Sequence, residues 1–379
     1  MRFFLFVVLC SGLVVAVASG PAMTAQGPSN RIFVNVVLVQ LNVAVTDHNG
    51  NYITGLRPEN FLVTEDRIPE KVASFEEGGA PEGATRGAME AKNSVAAPAT
   101  AADGGTSAGT PAATAPASEP ATQASEETSS VSSTPPSVSR LAGASVFVLF
   151  DTSDYMYRGF VFAQDAIGGF VRSMEEANKI AFYSYSRNLS RATPLTTDRT
   201  AVMQGVRSTV AGDDAALYNC LLLTVRDAAQ LRGRKAIVVF SNGPDNASSV
   251  PPEDVEELAQ STGTIIYIIS TRLAHDEPIS SAVFERMSKG TGGKAYFAKD
   301  WRDESTAFAS IREDLAHLYT ISYYPKLNPN RGWRTISVRL VGKDLEKYRV
   351  RTRDGYRLQE QVPTTAPASE GEAAAADPH

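Results

Sequence analysis

Oxygen-bearing side chains stand in three short segments of the sequence, and their types suit the binding of a cation. Asp151-Thr152-Ser153-Asp154-Tyr155 comes directly after an apolar run, Ala144 to Phe150. A pair of acids, Asp213-Asp214, lies farther along, and Ser241-Asn242-Gly243 follows a second apolar run. Carboxylates and hydroxyls are the ligands that a hard cation such as Mg²⁺ selects. If the two apolar runs are parallel strands, their carboxyl ends meet at one edge of a sheet, where ligands of such sheets bind.

Catalytic chemistry has less support. The sequence lacks His-Glu-x-x-His and the phosphate-binding Gly-x-x-x-x-Gly-Lys. Its four histidines fall in a predicted turn, a loop, a helix end and the terminus: His48, His275, His317 and His379. Cys220 has no histidine near it in the sequence. We therefore predict a protein that is not an enzyme; a hydrolase or other enzyme with an unrecognised site is the alternative.

Composition and charge exclude some partners. The 379 residues are 43% hydrophobic and carry a net charge of −6, so the chain can form a core and lacks the basic excess of a nucleic-acid binder. The acids concentrate in two places: residues 79–139 hold six anions and two cations, and residues 361–379 hold three anions. The remaining chain is close to neutral. We expect no nucleic-acid partner.

The first nineteen residues have the pattern of an export signal. Arg2 precedes an apolar run from Phe3 to Ala18, which closes on the small residues Ala16-Val17-Ala18. This run is shorter than the ~20 apolar residues of a spanning helix, although an uncleaved anchor is the alternative. We predict a protein that is periplasmic or secreted, without a stable membrane span after cleavage. Cys220 alone would then remain, which excludes an intrachain disulfide.

Two low-complexity segments flank the material that can fold. Residues 79–139 contain no aromatic residue, no Leu and no Ile, so they cannot bury enough surface to offset chain entropy. The sequence Thr-Ala-Pro-Ala-Ser-Glu stands at 114–119 and again at 365–370. The first segment reads as a disordered Ala/Pro/Ser/Thr-rich linker, either a spacer or a tolerated surface insertion, and the second reads as a tail of the same kind.

The hydrophobic pattern of the sequence outside the signal, the linker and the tail changes twice along the chain. Short Val- and Ile-rich runs before the linker and after residue 317 predict strands, and each set alone would leave open edges. We therefore expect the two sets to pack together as a small β-sandwich. Between them, strands alternate with helices, which predicts a doubly wound α/β domain with a mostly parallel sheet. The predicted segments are a signal peptide (1–19), an N-terminal β part (31–78), the linker (79–139), the α/β domain (140–317), a C-terminal β part (318–358) and the tail (359–379).

The α/β region resembles a von Willebrand factor A-type (VWA) domain, whose metal-ion-dependent adhesion site uses Asp-x-Ser-x-Ser after the first strand. Asp151-Thr152-Ser153-Asp154-Tyr155 stands at that position, and Ala215-Ala216-Leu217-Tyr218-Asn219 stands where relatives tend to read Thr-Ala-Leu-Tyr-Asp. Ser241-Asn242-Gly243 corresponds to their Thr-Asp-Gly. Further segments, among them Thr291 to Phe297 and Arg353-Asp354-Gly355-Tyr356, look like the VWFA-related subgroup of acidobacterial type.

The resemblance implies a damaged metal site. Asp151 and Ser153 match the family motif, whereas Tyr155, Ala215 and Asn242 replace a serine, a threonine and an aspartate. The loss of one carboxylate and two hydroxyls weakens the site for Mg²⁺. We therefore expect no cofactor, with Mg²⁺ held by Asp151 and Ser153 as the alternative. Four nearby acids could rebuild the ligand set: Asp154, Asp213, Asp214 and Asp245. In a purely structural interpretation, Asp151 and Ser153 serve as turn and helix-cap residues.

These observations predict a scaffold or binding module that recognises a protein partner at the cell envelope or exterior. Its candidate binding residues in the upper loops are Asp151, Ser153, Asp154, Tyr155, Asp214, Ala215 and Asn242. Metal-dependent adhesion through a rebuilt Mg²⁺ site is one alternative, and enzymatic activity is the other. Divalent-ion dependence of partner binding distinguishes the first two hypotheses, and a turnover screen distinguishes both from the third.

Overall fold

The computed structural model describes residues 38–78, 143–175, 178–272 and 276–358. The predicted signal peptide, linker and tail lie outside these residues. In the described residues the strands β1 to β14 are Val39–Thr46, Phe61–Glu65, Ile68–Glu70, Val72–Glu77, Ser145–Asp151, Lys179–Tyr185, Leu189–Thr196, Lys235–Ser241, Ile265–Ser270, Ala295–Phe297, Tyr319–Tyr323, Trp333–Leu340, Arg349–Arg351 and Gly355–Arg357. The helices α1 to α6 are Phe160–Ser173, Arg199–Arg207, Leu217–Ala229, Pro252–Thr262, Pro278–Gly290 and Trp301–His317.

The central sheet has six strands in the order β10-β9-β8-β5-β6-β7. Neighbouring strands run parallel from β10 to β6, and only β7, at one edge, is antiparallel. Strand β10 lies at the opposite edge. Helices cover both faces, so the predicted fold class, a mostly parallel α/β sheet inserted into a β-sandwich, is confirmed.

The continuous apolar run of β5 explains its central position. Val148 and Phe150 belong to the core on one face of the sheet, and Phe147 and Leu149 belong to the core on the other face. All four are at most 3% exposed. A strand that is buried on both faces carries apolar side chains at every position, as parallel sheets require.

Local signals determine where several helices begin and end. The Asp198 side chain accepts hydrogen bonds from two backbone N–H groups of the first turn of α2, and Asp300 does the same for α6. These caps satisfy donors that a helix start leaves without partners. Helix α4 ends at Gly263, whose φ of 68° lies in the left-handed region that glycine adopts without strain.

The two β parts form a sandwich of two four-stranded antiparallel sheets. One sheet has the order β13-β1-β11-β4 and the other β14-β12-β2-β3. Strand β1 pairs with β11 from Val39 opposite Tyr323 to Val43 opposite Tyr319. Because each sheet mixes strands from before and after the α/β region, neither β part can complete a sheet by itself. Their shared core includes Leu41 and Ile321.

A buried ionic cluster joins the sandwich to the α/β domain. Asp314 of α6 is fully buried and accepts hydrogen bonds from Tyr52 Oη at 2.7 Å and Tyr267 Oη at 2.6 Å. The Arg351 guanidinium of β13 donates to the same carboxylate at 2.5 Å and to the carbonyl of Gly292. Burial alone would raise the pKa of Asp314, but the charges of Arg351 and Lys294 and the two phenols hold it below its ordinary value.

The residues that flank the linker approach one another at the base of the α/β domain. Gly78 N–H, before the linker, donates to the Leu318 carbonyl at 2.9 Å. The Arg234 side chain donates to the nearby Leu315 carbonyl at 2.8 Å, and the Arg234 carbonyl accepts from Ser145 N–H, after the linker, at 2.9 Å. The described residues on the two sides of the predicted linker therefore lie in one neighbourhood. In the described part of the chain, no helix has both the length and the apolar character needed to cross a membrane.

Candidate functional site

The carboxyl ends of β5 and β8 place Asp151 and Ser241 side by side. Asp151 is fully buried; its Oδ2 accepts a hydrogen bond from Ser241 Oγ at 2.8 Å, and its Oδ1 accepts one from Ser153 N at 2.9 Å. Tyr185, at the end of β6, donates to Ser241 Oγ at 3.2 Å. Burial raises the pKa of Asp151 even though these donors favour its charged form. Sequence reasoning placed Asp151 here but missed Tyr185.

Two predicted site residues have buried polar atoms without partners among the described residues. Ser153 is 1% exposed and Asn242 is 2% exposed. Ser153 Oγ and both polar atoms of the Asn242 side chain make no hydrogen bond there. The predicted capping role for Ser153 does not form through its side chain: it precedes a short 3-10 helix, Asp154–Gly159, without a side-chain cap. Asp151, by contrast, holds the turn through the Ser153 N–H group.

The exposed rim of the site is a hydrogen-bonded group around Tyr155, which is 40% exposed. Asn246 Nδ2 lies 3.5 Å from Tyr155 Oη and 3.3 Å from Asp214 Oδ1. Asn246 Oδ1 accepts from Ala215 N–H at 2.8 Å, and Asp214 forms an ion pair with Arg187. The structure thus brings together three residues of the predicted set, Tyr155, Asp214 and Ala215. Two residues outside that set, Asn246 and Arg187, lie with them.

The four acids that could rebuild a metal site are engaged in different ways. Asp214 pairs with Arg187. Asp245 accepts from Tyr218 N–H at the start of α3 at 3.0 Å and from Ser248 Oγ at 2.7 Å. Asp154 and Asp213 are exposed, and the Asp154 N–H donates a hydrogen bond to the Asp213 carbonyl. Across the described residues, no group of three or more His, Cys, Asp or Glu side chains could hold a metal ion.

The donors at the site do not fit Mg²⁺ well. Asp151 is the buried carboxylate of the site, and both of its oxygens already accept hydrogen bonds from the protein. The buried polar atoms without partners belong to the neutral Ser153 hydroxyl and the neutral Asn242 amide. A small divalent cation that dehydrates reluctantly needs a charged ligand whose oxygens are available to it. The Arg187 cation pairs with Asp214, one of the acids of the rim.

The remaining nucleophile candidate, Cys220, is held in an unreactive setting, and two of the four histidines lie among the described residues. Cys220 is buried in α3, and burial raises the pKa of its thiol to about 12, so the reactive thiolate is scarce at neutral pH. His317 stacks on Tyr52 with ring centroids 5.1 Å apart. His48 lies in an exposed turn, and His275 and His379 fall outside the described residues.

Comparison with known proteins supports the same class for the α/β region. Residues 146–244, about a quarter of the chain, match the family model described as von Willebrand factor type A domain. The chain therefore carries a VWA domain, as the motifs predicted. The match does not extend to the sandwich and does not test the predicted acidobacterial-type subgroup. Among curated proteins, none matches this chain.

Several solved structures are similar to part of the chain. An aerotolerance-related membrane protein from Bacteroides fragilis has 17% identity and a TM-score of 0.39, over 46% of this chain and 98% of its own. BatB from Bacteroides thetaiotaomicron has 14% identity and a TM-score of 0.37, over 46% and 97%. A von Willebrand factor type A protein from Catenulispora acidiphila has 12% identity and a TM-score of 0.40, over 56% and 66%. Likeness at this level carries no argument about function.

Proposed function

We propose that this protein is an exported, non-enzymatic binding or scaffold module that recognises a protein partner through the upper loops of its VWA domain without a bound metal. The observation that carries the proposal is the contrast between the buried and exposed halves of the site. Asp151 is sealed inside by protein hydrogen bonds, whereas Tyr155 and Arg187 are presented to solvent.

The composition of the rim supports protein recognition. Tyrosine and arginine are enriched among the residues that dominate protein–protein binding energies. Here the Tyr155 phenol and the Arg187 guanidinium are connected through Asn246 and Asp214. Such a network orders the exposed groups before a partner arrives, which reduces the entropy lost on association.

Affinity capture from the native cell envelope tests the proposal. The full chain is immobilised in the presence of a chelator, and the captured proteins are compared with those retained by a Tyr155→Ala, Arg187→Ala variant. A control variant, Lys343→Ala, changes an exposed lysine after β12, in the sandwich. We expect a protein retained by the wild type and the control, with and without chelator, and released by the loop variant about a hundredfold faster.

Two results would contradict the proposal. Equal retention of the captured protein by the wild type and the loop variant would show that the binding surface lies elsewhere on the molecule. Capture that requires added Mg²⁺ would instead support metal-dependent adhesion, the alternative raised by the sequence.

A further inference from the structure

A pocket at the seam between the VWA domain and the sandwich has four cations among its ten lining residues. Its volume is about 560 Å³, and its charged lining residues are Lys289, Lys294, Arg349, Arg351 and a single acid, Glu285. The four cations come from the end of α5, the approach to β10, and β13. The cluster is a local feature, since the whole chain has a net charge of −6.

Lys294 is the residue that distinguishes this pocket from ordinary surface charge. Its ammonium lies 3.5 Å from Tyr52 Oη and 5.6 Å from the centre of the same ring, and burial lowers its pKa. In the part of the chain that the structure describes, no carboxylate lies within ion-pair distance of Lys289, Lys294 or Arg349. The charge of Asp314 favours the charged form of Lys294, but burial and the charge of Arg351 outweigh it, so a bound anion would stabilise this half-buried ammonium.

Arg351 gives the pocket a rigid wall. Its guanidinium is fixed by Asp314 behind it and by the Gly292 carbonyl. Three acids near the pocket offset its positive charge only in part. Glu285 lines the pocket, and Asp314 pairs with Arg351. Burial raises the pKa of Asp354, and the charge of Lys289 lowers it. Arg351 is thus held in place, and Asp314 already pairs with its charge.

From this arrangement we infer a binding site for a small phosphate-bearing ligand, distinct from the upper-loop site. Converging ammonium and guanidinium groups bind phosphate oxygens through charge-assisted hydrogen bonds. A pocket of about 560 Å³ exceeds what one inorganic phosphate fills, so the ligand carries a second group, such as another phosphate or a sugar.

Calorimetric titration of the full chain with pyrophosphate at low ionic strength tests the inference. We expect saturable one-site binding that weakens as salt rises, because exposed cations are screened. Lys294→Met keeps the aliphatic stem on Tyr52 and removes the charge, and it should weaken binding about tenfold. The exposed pair Lys289→Gln, Arg349→Gln supplies a second test that leaves the buried residues intact, and we expect a similar loss.

Matched controls distinguish specific binding of pyrophosphate in the pocket from nonspecific electrostatic attraction to surface cations. Lys343→Gln removes an equally exposed cation away from the pocket and should leave the affinity unchanged. An absence of saturable heat with the wild type, or an equal loss in Lys343→Gln, would overturn the inference. Citrate binding as tight as pyrophosphate binding would overturn the assignment to phosphate. Unliganded melting curves for every variant verify that a loss of binding is not a loss of fold.

Discussion

Asp151 shows how one residue of a binding motif can be retained while its surroundings change. Both of its oxygens accept hydrogen bonds from the protein, and burial raises its pKa. Ser241, Tyr185 and the Ser153 backbone now surround it. The carboxylate therefore serves the strand end itself, by closing the turn after β5 and tying it to β8.

A three-position restoration tests whether the lost oxygens account for a lack of metal affinity. Tyr155→Ser, Ala215→Thr and Asn242→Asp together return two hydroxyls and one carboxylate near Asp151. We expect Mg²⁺ to raise the melting temperature of this variant and not of the wild type, because a ligand that binds only the native state stabilises it. Calorimetry after chelator treatment measures the two affinities directly.

The position of Ala215 sets the main difficulty of that experiment. Its side chain is fully buried, so a threonine there must displace its neighbours at a cost of about 1–3 kcal/mol. A variant that omits Ala215→Thr separates this steric cost from the metal effect. Tight Mg²⁺ binding by the wild type would contradict the metal-independent proposal, since it would mean that other oxygens have taken over the ligand roles.

At the scale of elements, helix α6 contains a buried acid in its first turn. Glu304 is 8% exposed, and its Oε2 has no hydrogen-bond partner among the described residues. Burial, and then the charge of Asp300, raise its pKa to about 7 from an ordinary 4.5. The folded state therefore binds this proton more tightly than the unfolded state does. Stability falls as the pH rises from about 4.5 to about 7, and the loss persists above that range.

Glu304→Gln should remove this dependence because the amide carries no charge to bury. We expect the variant to be about 2 kcal/mol more stable than the wild type near pH 8 and equally stable near pH 4. Urea unfolding at both pH values measures the difference. Glu313→Gln, exposed on the same helix, is the control and should follow the wild-type profile. A constant offset between Glu304→Gln and the wild type at both pH values would disprove the assigned cause.

The elements that the sequence predicted are those with strong apolar periodicity. The apolar run Ala144 to Phe150 and the apolar run before Ser241 predicted two strands, and β5 and β8 occupy these positions. Strand β7, Leu189–Thr196, was missed because it is an edge strand whose polar residues and proline lack alternation. For the site, Asp151 and Tyr155 could be found from the motif. Arg187 and Asn246 could not, because tertiary pairing alone brings their loops to the rim.

At the scale of the whole molecule, the linker joins two points that the fold already holds together. Gly78 and Ser145 are connected through Leu318, Leu315 and Arg234. The N-terminal strands are also paired with strands near the other end of the chain. Covalent continuity of the linker is therefore not what positions the β parts.

Cleavage within the linker should leave the protein assembled. A specific protease site inserted after Gly109 lies inside the predicted linker, far in sequence from every described residue. We expect the two fragments to co-elute on gel filtration at the volume of the uncut protein and to separate only in denaturant, because the β1–β11 and β2–β12 ladders remain. Separation of the fragments in native buffer would show that the sandwich depends on the tether.

The same pairing has a consequence for the order of synthesis. Strands β2 and β3 can pair with each other, but β1 and β4 leave the ribosome at least about 240 residues before their shared partner β11. At about 5–20 residues per second, their apolar faces wait roughly 12–50 s for a partner. During this interval Leu41, Val43 and Phe61, which the finished sandwich buries, offer an unpaired strand template to any neighbouring chain. The nascent protein thus depends on being kept apart from its own copies until the partner strand β11 has been made.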